Sequence, residues 1–170
     1  MSSLSETKAQ YISDTNKEIS LSGESLIALI HTVVDEKKSF RFKVKGFSMS
    51  PFIKDGDIVT VSPLANSSVR IGDSVAFINS YSKKLVIHRV VGKNNDCYLI
   101  KGDNVPEIDS FIPRNDILGH VSRVERNGKN IFLGLGPERF MIAFLSLKGV
   151  LPLLFRSLRF IPPAIRRLVL

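Results

Sequence analysis

Ser39-Phe40-Arg41-Phe42-Lys43-Val44-Lys45 alternates apolar and basic side chains one by one. Only an extended strand turns every second residue to the same side, so this stretch predicts a half-buried β-strand with Phe40, Phe42 and Val44 facing inward. Toward the C-terminus, short apolar runs recur at 58–61, 75–78, 85–91, 98–100, 118–124 and 131–133. Turn-forming groups punctuate them: Lys54-Asp55-Gly56-Asp57, Ile71-Gly72-Asp73, Gly92-Lys93-Asn94-Asn95 and Asn127-Gly128. The Asn-Gly pair between two β-type runs predicts a tight hairpin. Short strands with frequent turns predict a mainly β domain over residues 39–134.

Before this domain, Leu26, Ile27, Ile30, Val33 and Val34 recur at the spacing of one helix face. They predict an amphipathic helix with Ser22 as N-cap, ended by Asp35-Glu36-Lys37-Lys38. Residues 1–38 are thus a loosely held lead-in of about 20 residues followed by this helix. His31 reads as a surface or boundary position on it. After Gly134-Leu135-Gly136-Pro137 the pattern becomes helical again. Residues 135–170 predict a basic, apolar helical tail that runs from Arg139 until Pro152 and is broken again at Pro162-Pro163.

The 170 residues, 44% hydrophobic and 24% charged, suit one globular unit with a genuine core. A lone cysteine, Cys97, excludes an internal disulfide and a cysteine-based zinc site. His31, His88 and His120 stand apart with no carboxylate cluster at metal spacing, so neither metal nor cofactor is expected. The net charge is +8, and Arg139, Lys148, Arg156, Arg159, Arg166 and Arg167 supply six cations in the last 32 residues, Arg139 to Leu170, which hold no acid. Basic and greasy together point to an anionic membrane surface rather than to nucleic acid. Residues 140–155 would make about 24 Å of helix, against a hydrocarbon core of about 30 Å. On one continuous helix Lys148, Arg156 and Arg159 would fall on one side, as in a helix lying among headgroups. The polar N-terminus does not read as a secretory signal, and no run reaches the ~20 apolar residues of a spanning helix.

The chemistry concentrates in Gly46-Phe47-Ser48-Met49-Ser50-Pro51 and Leu85-Val86-Ile87-His88-Arg89-Val90. A serine between a strand and a proline-containing turn can project its hydroxyl from a rigid edge. A serine hydroxyl becomes a useful nucleophile only when a nearby base takes its proton, and histidine suits that exchange at neutral pH. An acid must then fix the imidazole tautomer. Asp103 and Asp109 in Lys101-Gly102-Asp103-Asn104-Val105-Pro106-Glu107-Ile108-Asp109-Ser110 are the two candidates.

The ordered set G-x-S-M-x-P, Gly56-Asp57, Gly72-Asp73, His88-Arg89-Val90 and Lys101-Gly102-Asp103-Asn104 resembles the signal peptidase family. The correspondence runs from about Phe42 to Gly119, nearly the whole β region. It implies the signal-peptidase/LexA-like catalytic β fold, and a serine endopeptidase that cuts a precursor or leader peptide after a small residue. Ser48 would be the nucleophile and His88 the base. Histidine followed by Arg-Val is similar to the endoplasmic-reticulum, archaeal and sporulation branch, whereas the common bacterial leader peptidases have lysine there. Lys83 and Lys84 lie four or five residues from the matching position. The spacing after the G-D-N motif puts the orienting role on Asp109, and leaves Asp103 as support that binds backbone or Lys101. Some members carry a hydroxyl residue two before the nucleophile; with Gly46 there, only backbone N–H groups, starting with that of Ser48, can hold the oxyanion.

Signal peptidases also carry a spanning helix just before the nucleophile, and the short helix here predicts a cytoplasmic protein, peripheral on the inner face of the membrane. Two other readings share the fold: a LexA-like self-cleaving regulator and a non-catalytic binding module. The regulators use a lysine base, cut their own Ala-Gly or Cys-Gly bond and carry a DNA-binding head. Neither dipeptide occurs here, and the first 40 residues predict one helix, too few for a helix-turn-helix.

Overall fold

The computed structural model describes residues 10–12, 18–20, 23–64, 69–79 and 82–158. Among these, ten strands make one antiparallel sheet. They are β1 (Gln10–Ile12), β2 (Glu18–Ser20), β3 (Phe40–Lys43), β4 (Ile58–Ser62), β5 (Ser74–Asn79), β6 (Lys84–Asn94), β7 (Cys97–Lys101), β8 (Ile108–Pro113), β9 (Ile117–Arg126) and β10 (Lys129–Ile131). The lateral order is β2-β1-β3-β4-β9-β5-β6-β7-β8, with β10 paired to β9 across the Asn127-Gly128 turn. Three helices accompany the sheet: α1 (Gly23–Asp35), α2 (Arg139–Leu147) and α3 (Val150–Leu158). The fold is mainly β, as the alternating pattern implied.

Alternation along each strand divides the interior into two clusters. Phe40 and Phe42 of β3, Val59 and Val61 of β4, Ala76 of β5 and Ile87 of β6 pack with Ile30 of α1. The opposite side chains of β5 and β6, Val75, Phe77 and Val90, pack with Tyr98, Ile100 and Ile117. β5 is therefore covered on both faces, and Ser74 to Phe77 are buried in an unbroken run. β6 continues the same alternation, so His88 shares the face of Val86 and Val90.

Within the lead-in, β1 pairs with β2 and extends the sheet beyond β3, joining Tyr11 to Phe42. The stretch after Gly102-Asp103-Asn104 contains a strand, β8, paired to β7 through a bulge at Ile100/Lys101. One expectation needs correction: the tail is not one continuous helix to Pro152. α2 ends at Leu147, Gly149 takes φ +68°, and α3 starts at Val150 with Pro152 in its first turn. A glycine just past a helix end accommodates the left-handed conformation, and a proline in a first turn loses no helical hydrogen bond. Lys148, at the end of α2, and Arg156, in α3, therefore do not share one continuous helix. Ser22, Arg159 and the Pro162-Pro163 break lie outside the described residues.

The inner side of the helical pair is tied to the β domain. Ile142 and Leu151 pack with Phe52, and Arg139 lies 3.3 Å from Asp73. Glu138 accepts the N–H groups of Gly134 and Gly136 at 2.7 and 3.1 Å. Burial disfavours its charge, but these backbone donors outweigh that and hold its carboxyl below the usual carboxylate value.

Candidate active site

Beyond β3 the chain stays extended for one more residue: Val44 donates to the Asp57 carbonyl, and Gly56 donates back to Val44. Gly46 then turns with φ +104°, a conformation only glycine adopts without strain, and its N–H is taken by Asp55. A compact turn follows, closed by Ser50 N–H on Phe47 and Ile53 N–H on Met49. Met49 and Ile53 insert into the core and fix the turn from below. Asp57 and Arg126 brace it from the side. Arg126 makes two 2.8 Å hydrogen bonds to the Asp57 carboxylate and reaches the carbonyls of Pro51 and Phe52. This leaves the Ser48 side chain half-exposed on a rigid edge.

His88 stands across that edge on β6, with 8% of its surface exposed and its ring against the edge of Phe77. Its Nε2 is 2.9 Å from Ser48 Oγ, and its Nδ1 is 2.5 Å from Asp109 Oδ2 on β8. A carboxylate only accepts, so Nδ1 carries the ring proton and leaves Nε2 bare to accept from the serine hydroxyl. Gly102 permits this closeness: a Cβ there would sit 3.0 Å from both His88 Nε2 and the Ser48 carbonyl. The Ser48 N–H has no acceptor among the described residues. Gly46 N–H is committed to Asp55.

Asp103 is held apart from this trio. It is fully buried and accepts from Arg89 Nε and NH2 at 2.8 to 3.0 Å. Burial pushes its carboxyl up, opposed by the Arg89 guanidinium and its hydrogen bonds. The expected bond to Lys101 or backbone is therefore corrected: the guanidinium of Arg89, the residue after His88, takes both carboxylate oxygens. Lys101 instead donates to the carbonyls of Gly102 and Val105, its amine held below its usual pKa by burial. Arg89 also donates to the carbonyls of Gly72 and Gly134, so one buried side chain ties β6 to three loops. Asn104 completes the bracing, with its N–H on the Ser48 carbonyl at 2.7 Å and its side-chain amide on Phe47.

A cleft of about 350 Å³ opens beside Ser48 and His88. One wall is the stretch 42–46, and the other is the first half of β6, residues 84–88. Lys84 lies at its far end and Lys83 is fully on the surface, so neither stands where His88 does. His31 is exposed and His120 lies in β9, away from the trio. Among the described residues no three His, Cys, Asp or Glu side chains gather as metal ligands, and no helix is long and apolar enough to cross a membrane.

Sequence reasoning missed Arg126, the open edge of β6 and the strand that carries Asp109. Arg126 lies 69 residues from its partner, and no local pattern announces such a pair.

A family model described as Peptidase S24-like matches residues 7–121, about two-thirds of the chain, a span within which Ser48, His88, Asp103 and Asp109 lie. No curated protein matches the chain.

Proposed function

The chain belongs to the Peptidase S24-like family, and from that premise we propose that it is a serine endopeptidase in which Ser48 attacks, His88 shuttles the proton and Asp109 orients the imidazole. The observation that carries this reading is the unbroken series Ser48 Oγ, His88 Nε2, His88 Nδ1, Asp109 Oδ2, with contacts of 2.9 and 2.5 Å. In the first step Nε2 takes the hydroxyl proton as Oγ bonds to the scissile carbonyl carbon. The carbonyl π electrons move to oxygen, and the free N–H of Ser48 meets the charge. Asp109 stabilises the imidazolium. As the C–N bond breaks, Nε2–H protonates the leaving amine. Water, deprotonated by the same nitrogen, then releases the acyl group and restores the serine.

The open edge of β6 supports a peptide substrate. Residues 84–88 pair with β5 on one side, and β7 joins the other side only from Arg89 onward. An extended peptide can add there as a strand with its carbonyl at Ser48. The finer reading, a signal-peptidase-type enzyme of the histidine branch that trims a precursor after a small residue, rests on the Ser48-Met49 and His88-Arg89-Val90 motifs. Purified wild-type and Ser48→Ala proteins, incubated with a mixed peptide library and read by mass spectrometry, test it. Cleavage products with a small residue at the new C-terminus are expected from the wild type alone.

The tail belongs to the same reading as a contact with an anionic membrane from the cytoplasmic side. Phe140, Met141, Phe144, Leu147, Leu153 and Leu154 are exposed on the outer side of α2 and α3. Lys148 and Arg139 sit over the rings of Phe144 and Phe140. An apolar face fringed by cations matches acyl chains beneath acidic headgroups.

A further inference from the structure

The lining of the cleft carries charge of one sign. Lys43 and Lys45 line one wall and Lys84 the other. The one acid in the lining is Asp109, already engaged with His88. Lys43 and Lys45 form no ion pair among the described residues. Asp55, which accepts the N–H of Gly46, is outside the lining. A concave site with apolar walls concentrates such a field and draws in ligands of opposite charge.

Position along the cleft gives the charge a meaning. Lys84 lies four residues before His88 on β6, which at ~3.3 Å per residue is about 13 Å from the reacting centre. Lys45 precedes Ser48 by three residues on the facing wall. A strand-like peptide that runs along β6 with its scissile carbonyl at Ser48 therefore brings a side chain about four residues away to the level of Lys84, with Lys43 and Lys45 lining the opposite wall. We infer that the natural substrates are acidic peptides, with Asp or Glu about three to five residues from the scissile bond, selected by Lys43, Lys45 and Lys84. This rests on the peptidase reading for the bond cut, and on the cleft alone for the charge.

The test separates the two. One peptide that the full-length wild type cuts is remade with Glu, Gln or Lys at each of the five positions on either side of the bond. The expected result is a kcat/KM for Glu about three- to ten-fold above that for Gln at neighbouring positions on one side, carried by KM. At about 1 M salt, where screening reaches ~3 Å, the preference should vanish. It should also vanish in the Lys43→Gln/Lys45→Gln/Lys84→Gln triple variant, and Lys84→Glu should weaken it more than Lys84→Gln does. Binding of the same peptides to Ser48→Ala protein, read by anisotropy of a net-neutral dye, measures the charge preference without any cleavage. Equal binding of Glu, Gln and Lys peptides, or a preference unchanged in the triple variant, overturns the inference even if cleavage proceeds. Tighter binding of Glu peptides that is lost in the triple variant upholds the charge selection, and cleavage by Ser48→Ala at the wild-type rate fells the Ser48 peptidase reading instead.

Discussion

Arg89 and Asp103 are both fully buried and meet through three hydrogen bonds, one residue along the chain from His88 and from Gly102 respectively. The pair sets the spacing between β6 and the turn that leads to Asp109. Removing one partner leaves a charge stranded without water, which typically costs about 3–5 kcal/mol. Asp103→Ala is expected to lower the thermal midpoint by about 6–20 degrees for a chain of this size, which is what ~3–5 kcal/mol produces. Arg89→Met with Asp103→Leu should recover much of that loss. A fully stable Asp103→Ala protein would show that the pair contributes little.

Asp109 has a different task, and its substitution should separate activity from folding. Asp109→Asn keeps the size of the side chain but can turn an N–H toward Nδ1 and favour the wrong tautomer. A loss of about three to four orders of magnitude in kcat is expected, with an unfolding midpoint close to that of the wild type. A harmless Asp109→Asn would remove the acid from the account.

How much of this was legible in the sequence follows from the range of each interaction. Alternation in Phe40-Arg41-Phe42-Lys43 and the runs of β4 to β7 and β9 are local, and they read directly, whereas β10 shares only Ile131 with the run read at 131–133. β1 and β2 are three residues each, too short for a period; β1 exists by pairing with β3, and β2 by pairing with β1. β8 is masked by the charged residues before it and by a bulge that interrupts its ladder. Ser48 and His88 were visible because motif order ties them together. The partner of Asp103 was not visible, since nothing local distinguishes Arg89 from Lys101 as the cation that reaches it.

Glu138 makes the docking of the tail helices sensitive to acid. Its carboxyl is held below its usual value by the Gly134 and Gly136 N–H groups, so the folded form binds its proton less readily than the unfolded one. The stabilisation is present above the usual carboxylate range and is lost as pH falls through the lowered value. The wild type should melt above Glu138→Gln at pH 7, with the gap closing toward pH 3. A gap that widens in acid would contradict this sign.

Membrane contact is best tested on the outer face of the helices, because truncation after Gly136 would also strip Ile142 and Leu151 from Phe52. The wild type should co-sediment with vesicles rich in phosphatidylserine and release in high salt. The Phe140→Ser/Met141→Ser/Phe144→Ser variant should stay in the supernatant and still cut soluble peptides. Equal sedimentation of both proteins would place the contact elsewhere or remove it.

The central claim is that Ser48 is a nucleophile activated by His88. A fluorophosphonate probe, which phosphonylates an activated serine, measures this without knowledge of the substrate. Peptide mapping of the labelled wild type should find the adduct on Ser48, with labelling lost in Ser48→Ala and reduced by several orders of magnitude in His88→Ala, as for groups that act as one unit. Labelling at another residue, or equal labelling of wild-type and His88→Ala proteins, would contradict it.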